Sequence, residues 1–424
     1  MGSTLVLTRL LAPDLFGLVT TAMIFVYALA MFTDIGLRNA LIQDLRSEHA
    51  SYRNSIWLLT FARNLAVVTV LSGVTALIAY SQDRQWLPPE SVIADPRLLT
   101  VLPLLALAEA LRLSESTEVV VAERKLAFGV LFRFQLGKQL VTTFATVAWA
   151  WCAPGPLALC AGPVIGAVYG VLASHFLHWP TRPMFRWNTS EFKAILSRAR
   201  WVIASSALTF LVQTGDKIYL SLALDTHNMG LYAVSLTLGL LVSEFAARLT
   251  ASLLYPCLSR DVRENSLHLQ AEYYRVRRSL EGLCLAGGFV LLSFGPDLAM
   301  LLYDVRYAGV GLLLQWFGLT ALLLVHTAIA DAFHAWKTSY SVAVSGVRLA
   351  ALVVSMSLWV PEHGATGAAM AWAASTACAS LTALSISARL GLLCWRQEAR
   401  YLGGLLCALA AGGVLNQIRG ISLF

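Results

Sequence analysis

Long apolar runs, each about the length needed to cross a bilayer and repeated from one end of the chain to the other, leave few folds open to this sequence. Hydrocarbon offers no partner for backbone N–H and C=O groups, so runs of this kind fold as helices that satisfy their own backbone. Charged residues make up 13% of the 424-residue chain and hydrophobic ones 58%, against roughly 25% charged in a soluble domain. The expected fold is therefore an all-α polytopic membrane protein.

The runs predict about twelve transmembrane helices: a short one at 1–12, then 15–43, 54–80, 98–119, 126–151, 156–178, 200–222, 229–256, 279–302, 308–330, 338–360 and 364–388. A weaker stretch, Tyr401 to Leu415, reads either as a further span or as a helix lying on the surface. The first run, Leu5 to Leu11, reaches Pro13 after half a span, so the first helix is either short or begins upstream of this chain. The residues after Met1 lack the basic start and cleavage site of a secretory signal peptide.

Orientation follows from the basic residues of the connections, which gather on the cytoplasmic side of a bacterial inner membrane. One alternate set carries Arg46 and Arg53; Arg112, Arg124 and Lys125; Arg182, Arg186, Lys193, Arg198 and Arg200; Arg260, Arg263, Arg275, Arg277 and Arg278; Lys337; and Arg389, Arg396 and Arg400. The other holds Arg9, Arg84, Arg97 and Arg306. Both ends of the twelve-span core are thus expected in the cytoplasm. The longest basic connection divides the chain into an N-terminal six-helix bundle at 1–178, a cytoplasmic linker at 179–199 and a C-terminal six-helix bundle at 200–390, with a tail at 391–424. Trp179 and Trp187 suit a membrane interface, and the linker's prolines Pro180 and Pro183 exclude a continuous helix. Halves of this kind are common in transporters that rock about a central site.

Charges inside apolar spans are costly unless paired or wetted, which makes them the candidates for function. Arg63, Arg133 and Lys138 in the first bundle have no acidic residue at helical spacing within their own spans, and Arg348 in the second has none one turn away. They read either as snorkelling cations or as a cationic cavity suited to an anionic or diphosphate-bearing substrate. Asp216 and Lys217 are neighbours deep in one span and are expected to point about 100° apart, toward different elements. Glu244 and Arg248 are placed to pair across one turn, as are Asp34 and Arg38. Asp331, near His334, is a candidate ligand for a coupling ion. Pro103 and the pairs Gly155-Pro156, Gly162-Pro163, Gly295-Pro296 and Gly364 with Gly367 are expected to serve helix packing or bending.

The usual enzymatic and metal signatures are missing. There is no GxxxxGK[ST] phosphate loop, no Rossmann GxGxxG, no HExxH and no G-x-S-x-G elbow. The seven cysteines are scattered without metal-ligand spacing and read as small hydrophobes. No cofactor, metal, nucleic-acid partner or catalysis is expected.

The opening Val6-Leu7-Thr8-Arg9-Leu10-Leu11-Ala12-Pro13-Asp14-Leu15-Phe16-Gly17-Leu18, followed by Phe32-Thr33-Asp34-Ile35-Gly36-Leu37-Arg38-Asn39-Ala40-Leu41-Ile42-Gln43, resembles the start of bacterial polysaccharide flippases. These belong to the multidrug/oligosaccharidyl-lipid/polysaccharide exporter superfamily. Gly215-Asp216-Lys217-Ile218-Tyr219-Leu220 with Gly230-Leu231-Tyr232 is similar to the beginning of that family's second lobe, and Tyr255-Pro256-Cys257-Leu258-Ser259-Arg260 to the exit of its eighth span. The resemblance implies twelve to fourteen helices in two lobes around a central cavity. It also implies translocation of an undecaprenyl-diphosphate-linked oligosaccharide or an exopolysaccharide across the inner membrane, beside a polysaccharide polymerase and export machinery. Two other readings stand next to it: a multidrug or metabolite antiporter on the same scaffold, and a non-transporting membrane component of a polysaccharide assembly complex. A membrane glycosyltransferase would need an acidic loop site that the short external and basic cytoplasmic connections do not supply.

Overall fold

The computed structural model describes residues 2–33, 37, 41, 50–176, 210–211, 213–254, 269–330, 333 and 338–419. The Asp34–Arg38 pair, the linker at 179–199, and Asp331 with His334 lie outside the described residues. Two compact units divide the chain, 1–230 and 231–424. Among the described residues there is no strand, and the chain is an all-α polytopic membrane protein.

The first unit runs α1 (Gly2–Leu10), α2 (Pro13–Phe32), α3 (Ala50–Asp83), α4 (Leu98–Leu113), a short α5 (Glu118–Arg124), α6 (Phe128–Cys152), α7 (Pro156–Phe176) and α8 (213–223). Proline opens α2 and α7, where its missing N–H costs no helical bond and its fixed φ suits the first turn. The core is built from residues recurring on one face of each helix: Leu18, Ala22 and Val26 on α2, Val67, Leu71 and Ile78 on α3, and Leu98, Val101, Leu102 and Leu105 on α4. On α6 the row Phe132, Leu136, Leu140 and Phe144 is exposed instead, an apolar stripe that fits lipid.

Lipid tails are as apolar as leucine, so close packing has to hold such helices together. Gly162, Gly166 and Gly170 recur every fourth residue along α7. A side chain on Gly162 or Gly166 would meet Thr142 or Thr146 of α6, and one on Gly170 would meet the Lys138 and Glu115 side chains.

The second unit runs α9 (Thr226–Gly239, which begins at the end of the first unit), α10 (Leu241–Leu249), α11 (Leu269–Leu302), α12 (Val310–Leu323), α13 (Val325–Ala330), α14 (Thr338–Arg389) and α15 (Trp395–Ile418). Glycines again set the closest contact. Gly288 faces Gly318 and Gly295 faces Gly311, so α11 and α12 meet backbone to backbone at two levels seven residues apart. Although α14 is helical over 52 residues, Gly364 sits at φ 57°, ψ −129°. A side chain on Gly367 would collide with the Trp359 carbonyl, yet a straight helix would separate these residues by about 12 Å. The chain therefore turns back sharply between Pro361 and Gly364, and the two spans expected at 338–360 and 364–388 form a helical hairpin. The stretch around Tyr401–Leu415 is a 24-residue helix, α15, long and apolar enough to cross a membrane.

What fastens α15 is polar. Arg277 of α11 is fully buried, and its two terminal nitrogens donate to Glu398 of α15 at 2.5 and 2.7 Å. Its Nε lies 2.9 Å from Glu281 Oε1, paired by charge without hydrogen-bond alignment. His326 of α13 approaches the same Glu398 carboxylate at 3.0 Å, Tyr274 donates to it at 2.9 Å, and Tyr401 donates to the Leu322 carbonyl. The rings of Tyr273, Tyr274 and Tyr401 surround the guanidinium at 5.2–5.9 Å. Counted in the sequence as one of the basic residues of a connection, Arg277 instead stands inside α11, because that helix begins at Leu269.

Two outcomes are expected. Glu398→Ala removes the carboxylate that takes both terminal nitrogens of the buried Arg277 and should cost about 3–5 kcal/mol, read as a lower unfolding temperature in detergent, while the joint change Arg277→Met with Glu281→Met and Glu398→Leu should recover most of it. Gly318→Ala should destabilise by about 1–3 kcal/mol and more than Gly166→Ala, since a Cβ at 318 meets the backbone of Leu292 and Gly288 whereas one at 166 meets a threonine side chain that can rotate.

Candidate functional site

Within the first unit, α2 and α8 run antiparallel, bounded at one end by contacts of α2 with the start of α9 and at the other by the contact of α2 with Phe210, ahead of α8. At one end a side chain on Gly17 would strike the Thr226 carbonyl and the Gly230 amide, and His227 Nδ1 lies 3.0 Å from Asp14 Oδ1. At the other end the rings of Phe32 and Phe210 are 5.6 Å apart. Between the fastenings lies a cavity of about 460 Å³.

Helical periodicity supplies its walls. Thr20, Met23, Ile24, Tyr27 and Met31 recur on one face of α2, with Val19 beside them; Phe210, Gln213, Thr214 and Lys217 recur on the facing side of α8 and the turn before it. The lining is amphipathic: aliphatic and aromatic surface interleaved with hydroxyls, an amide and one ammonium. The volume lies in the range of small-molecule sites, about 300–1,000 Å³.

Lys217 is the cavity's cation. Its Nζ donates to Asp216 Oδ1 at 3.1 Å and Oδ2 at 3.3 Å and to the Gln213 carbonyl at 3.1 Å. Asp216 is buried, while the lysine side chain keeps 22% of its exposure. Lys217 stays on its own helix, its flexible stem curling back onto the adjacent carboxylate. An ammonium has three donors, and these two residues occupy two of them. The third can serve a hydroxyl or phosphoryl oxygen in the cavity.

The remaining candidates are dispersed. Arg63 of α3 donates to the Ala30 carbonyl at 3.0 Å and to Thr33 Oγ1 at 3.2 Å, satisfying the C-terminal end of α2 beside Met31. Arg133 is exposed on α6, with its Nε donating to the Gly129 carbonyl at 3.2 Å. Lys138 pairs with Glu115, which stands between α4 and α5 and so outside the lysine's own span. In the second unit the Arg348 guanidinium stands 5.0 Å above the Trp372 ring. Glu244 and Arg248 lie 3.9 Å apart and are exposed. Among the described residues no cluster of three or more His, Cys, Asp or Glu side chains is placed to hold a metal.

Sequence reasoning missed the α2 wall and the Arg277–Glu398 network. The first carries no charge to attract notice. The second joins residues 121 positions apart; the local signals it carries are the i,i+4 spacing of Arg277 with Glu281 and the i,i+3 spacing of Glu398 with Tyr401.

The fold is similar to that of solved MOP superfamily transporters. A multidrug resistance MATE family transporter of that superfamily, in an inward-facing conformation, is similar with a TM-score of 0.63 at 13% identity, over 98% of this chain and 95% of that one. The lipid II flippase MurJ, in an inward closed conformation, matches at 0.50 and 12% identity over 96% of each chain. A MOP superfamily transporter from Pyrococcus furiosus matches at 0.51 and 11% identity, over 95% of this chain and 88% of that one. No curated protein matches this sequence. Residues 6–308 match the family model described as polysaccharide biosynthesis protein, and the chain belongs to that family.

Proposed function

We propose that this protein is a flippase that carries a lipid-linked oligosaccharide or polysaccharide across the bacterial inner membrane by alternating access. The observation that carries the reading is the amphipathic cavity of the first unit with Lys217 in its wall, in a chain of the polysaccharide biosynthesis family. A glycan linked to lipid through a diphosphate presents hydroxyls, flat apolar sugar faces and negative charge. Each has a counterpart in this lining. Thr20, Gln213 and Thr214 hydrogen-bond hydroxyls, Tyr27 and Phe210 offer aromatic faces for sugar rings, and Lys217 meets a phosphoryl oxygen.

Asp216 has a definite part in this mechanism. The adjacent carboxylate offsets the ammonium's charge and anchors its stem while leaving one donor for cargo. The pair is neutral overall, so the site holds its ligand by directed hydrogen bonds more than by net charge. Such a site can also let go, as a carrier must. Arg63, Arg133, Lys138 and Arg348 are proposed as further contacts along the path of the anionic group, with both ends of the helical core in the cytoplasm and the polyprenyl tail left in the bilayer. No bond is made or broken. A polymerase and export machinery would take the cargo on the far side.

Proteoliposomes loaded with fluorescent lipid-linked oligosaccharide test this directly. Lys217→Ala should reduce translocation about tenfold or more, the consequence of losing a charge-assisted hydrogen bond, and Lys217→Arg should retain a measurable part. Arg133→Ala and Arg348→Ala should produce smaller losses. Full translocation by Lys217→Ala would remove the cavity from the pathway. Efflux of cationic drugs without movement of the glycan would instead identify an antiporter, and binding of the glycan without transport a static assembly component.

A further inference from the structure

The hairpin of α14 carries a cation far from either of its ends. Arg348 stands well inside the first limb, which begins at Thr338, about 15 Å along the helix. At that depth in a span a guanidinium needs a partner or water. The turn at Gly364 helps to supply one, because it folds the second limb back beside the first and brings Trp372 under the charge, 5.0 Å from the guanidinium carbon to the ring centre. Both side chains are partly exposed.

Two other helices fix the ring itself. Trp372 Nε1 donates to the Tyr232 hydroxyl of α9 at 2.9 Å. Phe317 of α12 stands 6.5 Å from the indole at 63° and 6.3 Å from the Tyr232 ring. It lies so close to Gly239 that a Cβ there would come within 2.6 Å of its ring. Tyr232 and Phe317 are fully buried. An indole tied by its N–H and wedged against a buried ring is held in one orientation, so α9 and α12 set the face it offers to Arg348. A π face attracts a guanidinium without taking up its N–H groups. The Glu398 carboxylate, by contrast, holds Arg277 by using them.

We propose that Trp372 is the positioning residue of Arg348, holding the guanidinium by the ring face so that its N–H edge meets the phosphoryl oxygens of the lipid-linked cargo. This role rests on the reading of Arg348 as a contact for the cargo's anionic group. A long side chain free in solvent gives up its rotamer freedom at each binding event. One already held over an indole gives up less, and the planar fork of arginine can then donate two parallel hydrogen bonds to a phosphoryl group. Tyr232 acts one step further back, through the indole N–H.

Transport in proteoliposomes over a range of lipid-linked oligosaccharide concentrations separates positioning from packing, because a lost binding contact raises the apparent KM and leaves the maximal rate. Arg348→Ala should raise KM about fivefold and Trp372→Leu about threefold. The double variant should do no worse than Arg348→Ala alone, since the indole acts only through the arginine. Trp372→Phe, which keeps a weaker ring face, should cause a smaller rise than Trp372→Leu, as should Tyr232→Phe, which removes the acceptor of the indole N–H. Should Trp372→Leu fail to fold, Trp372→Phe combined with Arg348→Ala gives the same comparison. Losses that multiply in the double variant, or a lower maximal rate with KM unchanged, would overturn the proposal. Wild-type transport by Arg348→Ala beside a loss in Lys217→Ala would remove this role and leave the cavity reading standing, whereas a loss in neither would remove both.

Discussion

A charge placed among membrane helices must find a partner before it can do anything else, and the described parts of this protein repeat that solution several times. Lys138 has Glu115, Lys217 has Asp216, and Arg277 has Glu398 with Glu281. Arg63 donates to a carbonyl and a hydroxyl at the end of α2. The alternative, an unpaired ion in hydrocarbon, is costly enough to change either the fold or the protonation state. What separates these pairs is how much donor capacity is left over. Arg277 is consumed from every side by carboxylates and tyrosine rings, which makes it a fastening. Lys217 is held by residues of its own helix and lines a cavity.

Packing between helices obeys a related restriction. Since burial against lipid and burial against protein are nearly equivalent for an aliphatic side chain, association depends on how closely backbones can approach. The levels of Gly288 with Gly318 and Gly295 with Gly311 give α11 and α12 such an approach. In the first unit α7 uses a glycine every fourth residue against α6, and Gly170 makes room for the Lys138–Glu115 pair. Small residues thus hold helices together and also make space for the charges between them.

These two restrictions decide what could be seen in the sequence. Long apolar runs and their basic flanks are local features, so the helices stand close to where hydropathy places them, and the hairpin at Gly364 falls between two expected spans. Edges were less legible: α11 extends ten residues before the apolar run at 279, because a helix does not stop where it leaves hydrocarbon. That extension converts Arg277 from an apparent flanking charge into a buried one. The partners of Lys138 and Arg277 were hidden for a different reason. Helical spacing reports only neighbours on the same helix, such as Glu281 for Arg277, whereas Glu115 and Glu398 come from elsewhere in the chain. The cavity wall on α2 was equally silent, since Thr20, Met23, Tyr27 and Met31 are ordinary residues for a span, and only the facing α8 turns them into a lining.

The arrangement of α2 and α8 also constrains how such a site can work. Their fastenings differ in kind. At Gly17 and Gly230 the backbones touch, so relative movement there would break close contacts that no rotamer change can restore. At Phe32 and Phe210 two rings meet at 5.6 Å and 60°, a geometry that aromatic pairs can change at a cost of about 0.5–1.5 kcal/mol. The ring contact is therefore the less costly of the two to break. It lies at the end where Arg63 holds the Ala30 carbonyl and the Thr33 hydroxyl.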